Sequence, residues 1–426
     1  MIEDGRIADV LGFGEVEGAE TIDTVLLPGL VDTHVHMNEP GRTEWEGFAT
    51  ATEAAAVGGV TTLVDMPLNC IPVTTSLAAL DTKLDAVRDL LAVDVGFWGG
   101  VVPGNAHELA PMAARGMLGA KCFLCHSGID DFPASSEADL RAAMPVLRDA
   151  GVPLLVHAEL EHAAAPSCEG RAYSSYLASR PRAWEDDAVR MVIDLCRETR
   201  CAVHVVHLSS ASALPLIRAA KDEGLPFTVE TCPHYLCLSA EEIADGRTEF
   251  KCAPPIRERE NQELLWRGVE DGTIDLVTSD HSPCTPHLKK PEEGDFGGAW
   301  GGIASLQLGL PSVWSRATVR GMRLEDVVRR MSETPARLAG LTRTKGRIAK
   351  GMDADLCAFD PEARWTVAAS DLRFRHKVSP YVGREVRGRV VKTWLRGRAI
   401  AESGSLVERS GRPLLGRTDL GGTESA

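Results

Sequence analysis

Pro28-Gly-Leu-Val-Asp-Thr-His-Val-His36 places two histidines one residue apart at the end of the apolar run 26–31. Side chains of a strand alternate with period two, so His34 and His36 project to the same side. Neutral imidazoles are common ligands of zinc and related divalent ions. One such pair is a weak signal. Further candidate donors recur at strand ends down the chain, at Lys121, His157, His207 and Asp280, and that series points to a metal site.

Outward from this strand, short β-branched runs alternate with helical stretches. The predicted strands are 30–36, 61–66, 93–99, 120–124, 153–157, 202–208, 227–232 and 274–279. Amphipathic segments with helical spacing lie between many of them, at 76–91, 139–150, 186–199, 211–223 and 261–270, with Gly151 and Gly224 placed as left-handed caps. Eight strands joined by helices imply parallel strands with crossover connections, which close into an α/β fold of the (β/α)8 type. Active sites of such barrels sit at the C-terminal ends of the strands. His34, His36, Lys121, His157, His207 and Asp280 all fall there, so residues far apart in sequence are expected to converge.

The ends of the chain read differently. Residues 1–25 and 343–426 are rich in Gly-Arg turns and short β-like runs without a long helix, and are expected to form a small β-sandwich beside a barrel domain at 26–342. The tail from about Ser410 is Gly-, Arg- and Ser-rich and is expected to be mobile.

The chain has 426 residues, 44% of them hydrophobic, enough for a large core. Its 46 basic and 61 acidic residues give a net charge of −15, which argues against nucleic acid or an anionic membrane as partner. No apolar stretch reaches spanning length and the start does not read as a signal peptide, so a cytoplasmic protein is expected. Eleven cysteines in such a chain suggest reduced thiols rather than disulfides. Cys122-Phe-Leu-Cys125-His126 spells the c-type haem attachment pattern, but that haem needs an exported chain, and small apolar packing is the better reading. His204 lies three residues before His207, on the opposite strand face, and is expected to pack. Asp280 could cap a following helix, but Pro283 and its companions favour a ligand role.

Taken together these segments carry a family resemblance. Alongside residues 28–36 stand Asn38-Glu-Pro-Gly-Arg-Thr-Glu-Trp-Glu-Gly47, Asp65-Met-Pro-Leu-Asn69, Gly119-Ala-Lys-Cys-Phe123, Val156-His-Ala-Glu159, His207-Leu-Ser-Ser210, Cys232-Pro-His-Tyr235 and Ser279-Asp-His-Ser-Pro-Cys284. The set resembles the cyclic amidohydrolases, most closely the allantoinase group. The resemblance implies a binuclear centre, with His34, His36 and Asp280 on one ion and His157 and His207 on the other. It implies that Lys121 is carboxylated by carbon dioxide to a bridging carbamate, since an ammonium has only donors and cannot ligate a cation. Charge supports this, because two dications facing four neutral imidazoles and one aspartate leave a large excess in a low-dielectric cavity. Two divalent ions are implied, zinc first, with cobalt, manganese or iron also suited to these donors. Hydroxide between the ions would attack the ring carbonyl, and Asp280 would move the proton to the departing nitrogen.

The implied substrate is a small molecule, and the implied reaction is hydrolysis of allantoin to allantoate. Dihydroorotases typically carry an arginine after the His-x-His pair, whereas Met37-Asn38 follows here. Hydantoinases and dihydropyrimidinases, the alternative reading, usually carry a tyrosine just after the modified lysine, and residues 122–127 contain none. A non-catalytic scaffold is disfavoured because all six ligand positions are filled. Asn69, Ser282 and Pro254 are candidate substrate contacts, and relatives suggest a homotetramer. Relatives also begin with an extra strand ahead of the segment matching residues 2–7, so the β-sandwich is expected to be a strand short or the start to be internal.

Overall fold

A computed structural model describes residues 1–12, 14, 19–161 and 165–416. Eight parallel strands form the barrel: β1 (Leu30–Val35), β2 (Val60–Asp65), β3 (Asp94–Phe97), β4 (Ala120–Phe123), β5 (Leu154–His157), β6 (Val203–Val205), β7 (Phe227–Thr231) and β8 (Leu276–Val277). Strands β1 to β3 pair in sequence, and β4 to β8 pair likewise. The two arcs join where β3 resumes as Gly99–Gly100 beside β4. Trp98 at that break turns its indole inward, donating to the Thr33 carbonyl at 2.8 Å.

Closure between β8 and β1 rests on one side-chain bond and one backbone bond. The amide of Ser279 donates to Asp32 Oδ2 at 3.0 Å, and that of His36 donates to the His281 carbonyl at 2.8 Å. This explains why β8 has two residues where the pattern predicts six: the Asp32 carboxylate takes a donor that a longer ladder would pair. Gly29 is required just before β1, since a Cβ there would lie 2.2 Å from Thr61 Oγ1.

The period-two alternation sorts the strands into two packed layers. Ala120, Cys122, Leu154 and Val156 face the surrounding helices in the main core. Phe123, Leu155, Trp98 and Val64 form a second cluster, the barrel interior. Lys121 and His157 share that interior face because they stand two positions from Phe123 and Leu155.

Helix Glu137–Ala150 starts two residues before its predicted bound, where Ser136 and Asp139 form a reciprocal capping box, and ends on Gly151 at φ 70°. Helix Arg182–Thr199 ends on Arg200 in the left-handed conformation instead of on a glycine. The predicted 211–223 helix is a 3-10 turn, Ala211–Ala213, running into Leu214–Asp222. No helix among the described residues is long and apolar enough to cross a membrane.

A separate antiparallel sheet has five strands, ordered Ser405–Leu406, Arg398–Glu402, Glu385–Leu395, Leu356–Thr366, Val25–Pro28. Val25–Pro28 pairs with Leu356–Phe359, so the first half of the apolar run 26–31 belongs to this sheet before the chain crosses Gly29 into β1. Residues 2–7 form a hairpin tied to the chain by Ile7 N donating to the Met352 carbonyl at 2.9 Å.

The tail departs from expectation. Residues 411–416 run along the barrel, with Gly411 N on Leu91 O at 3.0 Å, Leu414 N on Val95 O at 2.7 Å and Gly416 N on Gly116 O at 2.8 Å. Backbone pairing and the buried Leu414 fix a segment whose composition alone reads as mobile. Residues 417–426 lie outside the described residues.

Candidate active site

His34 is completely buried on β1. Its Nδ1 meets Glu230 of β7, which leaves Nε2 facing Asp280 Oδ1 at 3.2 Å and Lys121 Nζ at 3.3 Å. His36 lies just past the strand, with Nε2 3.6 Å from the same Asp280 oxygen. The next residue is pinned: Met37 N donates to Asp65 Oδ1 at 2.9 Å, while Asp65 Oδ2 is held by the buried Lys83 at 2.6 Å. The two imidazoles lie on one side, 5.6 Å between centroids, as the spacing predicts.

His157 ends β5. Its ring stacks on Phe123 at 4.4 Å, and Nε2 contacts Glu159 Oε2 at 2.7 Å, leaving Nδ1 free of that bond. Glu159 is held in turn by Arg180 Nε at 3.0 Å. His207 faces His157 edge-on at 4.5 Å and His34 at 5.3 Å. Both His207 (φ 40°) and Asp280 (φ 44°) adopt the left-handed conformation, costing about 1–3 kcal/mol each. Such turns at the strand ends break the alternation beyond β6 and β8 and let neither side chain follow its strand's face.

Burial sets the charge states. It pushes His34 and His157 down to about 4, with the nearby positive Lys121 adding to the effect. His36 and His207 are driven well down by burial and by neighbouring cations. Four neutral imidazoles result, the form that ligates metals. Burial also pushes the Lys121 amine down and the Asp280 carboxyl up.

His36, Lys121, His157, His207 and Asp280 line a cavity of about 470 Å³; His34 lies behind them. Asn69 and Ser282 line it too. Asn69 is 3% exposed, left-handed at φ 67°, and its Oδ1 has no hydrogen-bond partner among the described residues. Pro254 is not among the lining residues; Ala253 takes that place, and the Pro254 carbonyl accepts the Tyr235 hydroxyl at 2.7 Å.

His204 is buried, as expected. It packs, but its Nε2 meets Glu230 Oε2 at 3.0 Å and its Nδ1 meets Thr228 Oγ1 at 2.8 Å. It therefore steadies the carboxylate that orients His34. Glu230 and Glu159 escape sequence reasoning as site residues. Each had a faint signal: Glu230 is a charge inside the apolar strand β7, and Glu159 follows His157 by one strand period.

The arrangement suits a cation. The ligand atoms of His34, His36 and Asp280 lie within 4.8 Å of one another. With its proton on Nδ1 toward Glu230, His34 presents a lone pair at Nε2 to a carboxylate oxygen, so two acceptors face each other. Only a positive charge or a proton between them satisfies both.

The amidohydrolase family matches residues 25–400. An allantoinase from Streptomyces avermitilis is 52% identical over 92% of this chain and 88% of its own. One from Saccharomyces cerevisiae is 44% identical over 96% and 92%. Among solved structures, an L-hydantoinase (dihydropyrimidinase) from Arthrobacter aurescens superposes with a TM-score of 0.90 at 32% identity, over 97% of this chain and 95% of that one. Barrel, donor set and relatives agree: the chain belongs to the amidohydrolase family, and within it groups with the allantoinases.

Proposed function

We propose that this protein hydrolyses the cyclic amide of allantoin to allantoate at a centre built from His34, His36, Lys121, His157, His207 and Asp280. The observation that carries the reading is His34 Nε2 facing Asp280 Oδ1 at 3.2 Å, with Lys121 Nζ 3.3 Å away. In the protein alone the ammonium supplies a positive charge beside His34 Nε2. Carboxylation by carbon dioxide would convert Lys121 to an anion, and the six residues would then hold two divalent ions, zinc first. When bound, such ions polarise the scissile carbonyl and lower the pKa of water.

The chain's own groups do the rest. Glu230 and Glu159 hold His34 and His157 in one tautomer each. Asp280 accepts the proton of the attacking water and returns it to the ring nitrogen, since an amide nitrogen leaves poorly until protonated. Asn69 and Ser282 line the cavity; on this reading the Asn69 amide accepts an N–H of the ureido arm and Ser282 adds a hydroxyl. Rings lacking that arm leave these groups unpaired, which supports discrimination against them.

Side-by-side kinetics on allantoin, dihydroorotate, dihydrouracil and a 5-alkyl hydantoin test the assignment. Allantoin should have the highest kcat/KM; a higher value for dihydrouracil or the alkyl hydantoin makes the protein a hydantoinase. Lys121→Ala should be inactive and partly rescued by short carboxylic acids. A high-resolution map with a bare amine between two occupied metals would remove the carbamate. We also assign a cytoplasmic homotetramer, as the family resemblance suggests. Light scattering at the monomer mass of 45.8 kDa would overturn the assembly.

A further inference from the structure

Beside Asp280 lies a second group of donors. Cys232, His234 and Asp280 place one ligand atom each within 4.8 Å of one another, and all three are buried. Cys232 and His234 sit at the end of β7, where the chain turns into the short helix Pro233–Cys237. His234 is 0% exposed, and both of its ring nitrogens lack a hydrogen-bond partner among the described residues. A buried imidazole with neither nitrogen satisfied carries the desolvation cost of both ring nitrogens with no bond to offset it. Such a group is retained where something else uses it.

We propose that Cys232, His234 and Asp280 form a separate site for a thiophilic divalent ion, which inhibits the enzyme by drawing Asp280 out of the reaction. The donor set, one thiolate, one imidazole and one carboxylate, suits zinc in excess or cadmium. Charge closes: the thiol S–H bond breaks, its proton leaves to water, and thiolate plus carboxylate neutralise the dication. Asp280 bridges the two groups because a carboxylate has two oxygens and only Oδ1 is paired with His34 and His36. The ion reaches the site through the cavity that Asp280 lines. The comparable trio Cys125, His157 and Glu159 offers no such vacancy of donors, since Arg180 and His157 already engage Glu159.

The test is cadmium titration of the metal-replete enzyme. A thiolate-to-cadmium charge-transfer band should grow to one equivalent per chain as activity falls, and a chelating dithiol should reverse both. Cys232→Ser and His234→Asn should each raise the cadmium concentration for half-inhibition by at least about tenfold, and Cys232→Ser should abolish the band; Cys125→Ser should change neither. Anomalous scattering from a cadmium-soaked wild-type crystal gives the same answer without a variant: a peak between Cys232 and His234 is expected, and a peak only beside Cys125 or at a surface thiol overturns the proposal. So does a band or inhibition constant indifferent to both substitutions. The band is read without substrate, so its failure is distinct from a failure of the allantoin assignment.

Discussion

The two ends of the barrel bury charge in opposite ways. At the N-terminal end, where β3 begins, Lys345 lies within 2.6 Å of Asp94, 2.9 Å of Asp353 and 2.7 Å of Asp355. Arg396 adds a contact to Asp94 at 2.6 Å, and Arg412 N donates to its other oxygen at 3.0 Å. Every charge there has an opposite charge against it. At the C-terminal end four neutral imidazoles and Asp280 converge on one lysine, and His36, His207 and His234 keep ring nitrogens without partners among the described residues. One end spends its polar capacity on structure, joining barrel to accessory sheet through Asp94 and Asp355. The other holds its capacity open for ligands, at a cost in backbone strain at His207 and Asp280.

Substitutions should separate the two ends. The largest effect is expected at Asp280: Asp280→Asn should lower kcat/KM by about 10²–10⁴-fold, and His36→Ala should remove at least one bound ion by elemental analysis. Neither should lower the unfolding midpoint of the metal-free protein much. A metal-free yet active His36→Ala enzyme would break the comparison. Lys345→Ala should show the mirror image, leaving buried carboxylates unpaired and costing about 3–5 kcal/mol in unfolding free energy. Its folded fraction should keep the wild-type kcat, and loss of kcat with unchanged stability would show that the lower cluster serves the reaction.

Smaller effects sharpen the picture. Glu230→Gln should weaken metal binding about 10–100-fold in chelator competition, because His34 loses the carboxylate that fixes its tautomer. An unchanged affinity would make Glu230 and His204 packing only. Asn69→Ala should lower kcat/KM for allantoin by about tenfold, the scale of one hydrogen bond of about 0.5–1.5 kcal/mol, while leaving an alkyl hydantoin unaffected. Equal losses on both substrates would place Asn69 in loop architecture rather than in recognition.

The eight strands and the donors His34, His36, Lys121 and His157 are legible in the sequence because both follow from local periodicity, whereas His207 and Asp280 are legible only from their place after a strand end. Strand runs alternate with 3.6-periodic segments, and a parallel strand places its last residue at the barrel mouth whatever lies between. His34-Val35-His36 declares its geometry outright, since a period of two admits one side only. Glu230 and Glu159 are less legible: a carboxylate that orients an imidazole is recognisable only once β7 stands beside β1, or Arg180 beside Glu159. The tail after Ser410 misleads for the same reason, since its order comes from carbonyls of residues 91, 95 and 116, hundreds of positions away in sequence.

By itself, then, the sequence determined the barrel, the β-rich character of the ends and which six donor-type residues stand at the strand ends, all written in spacing and residue type. Tertiary structure alone decided how the barrel closes through Asp32 and Ser279, that Pro254 stays outside the cavity while Asn69 enters it, that His204 serves Glu230, and that Cys232 and His234 stand beside Asp280. Those outcomes depend on backbone turns at single residues and on contacts between distant strands, which no local pattern encodes.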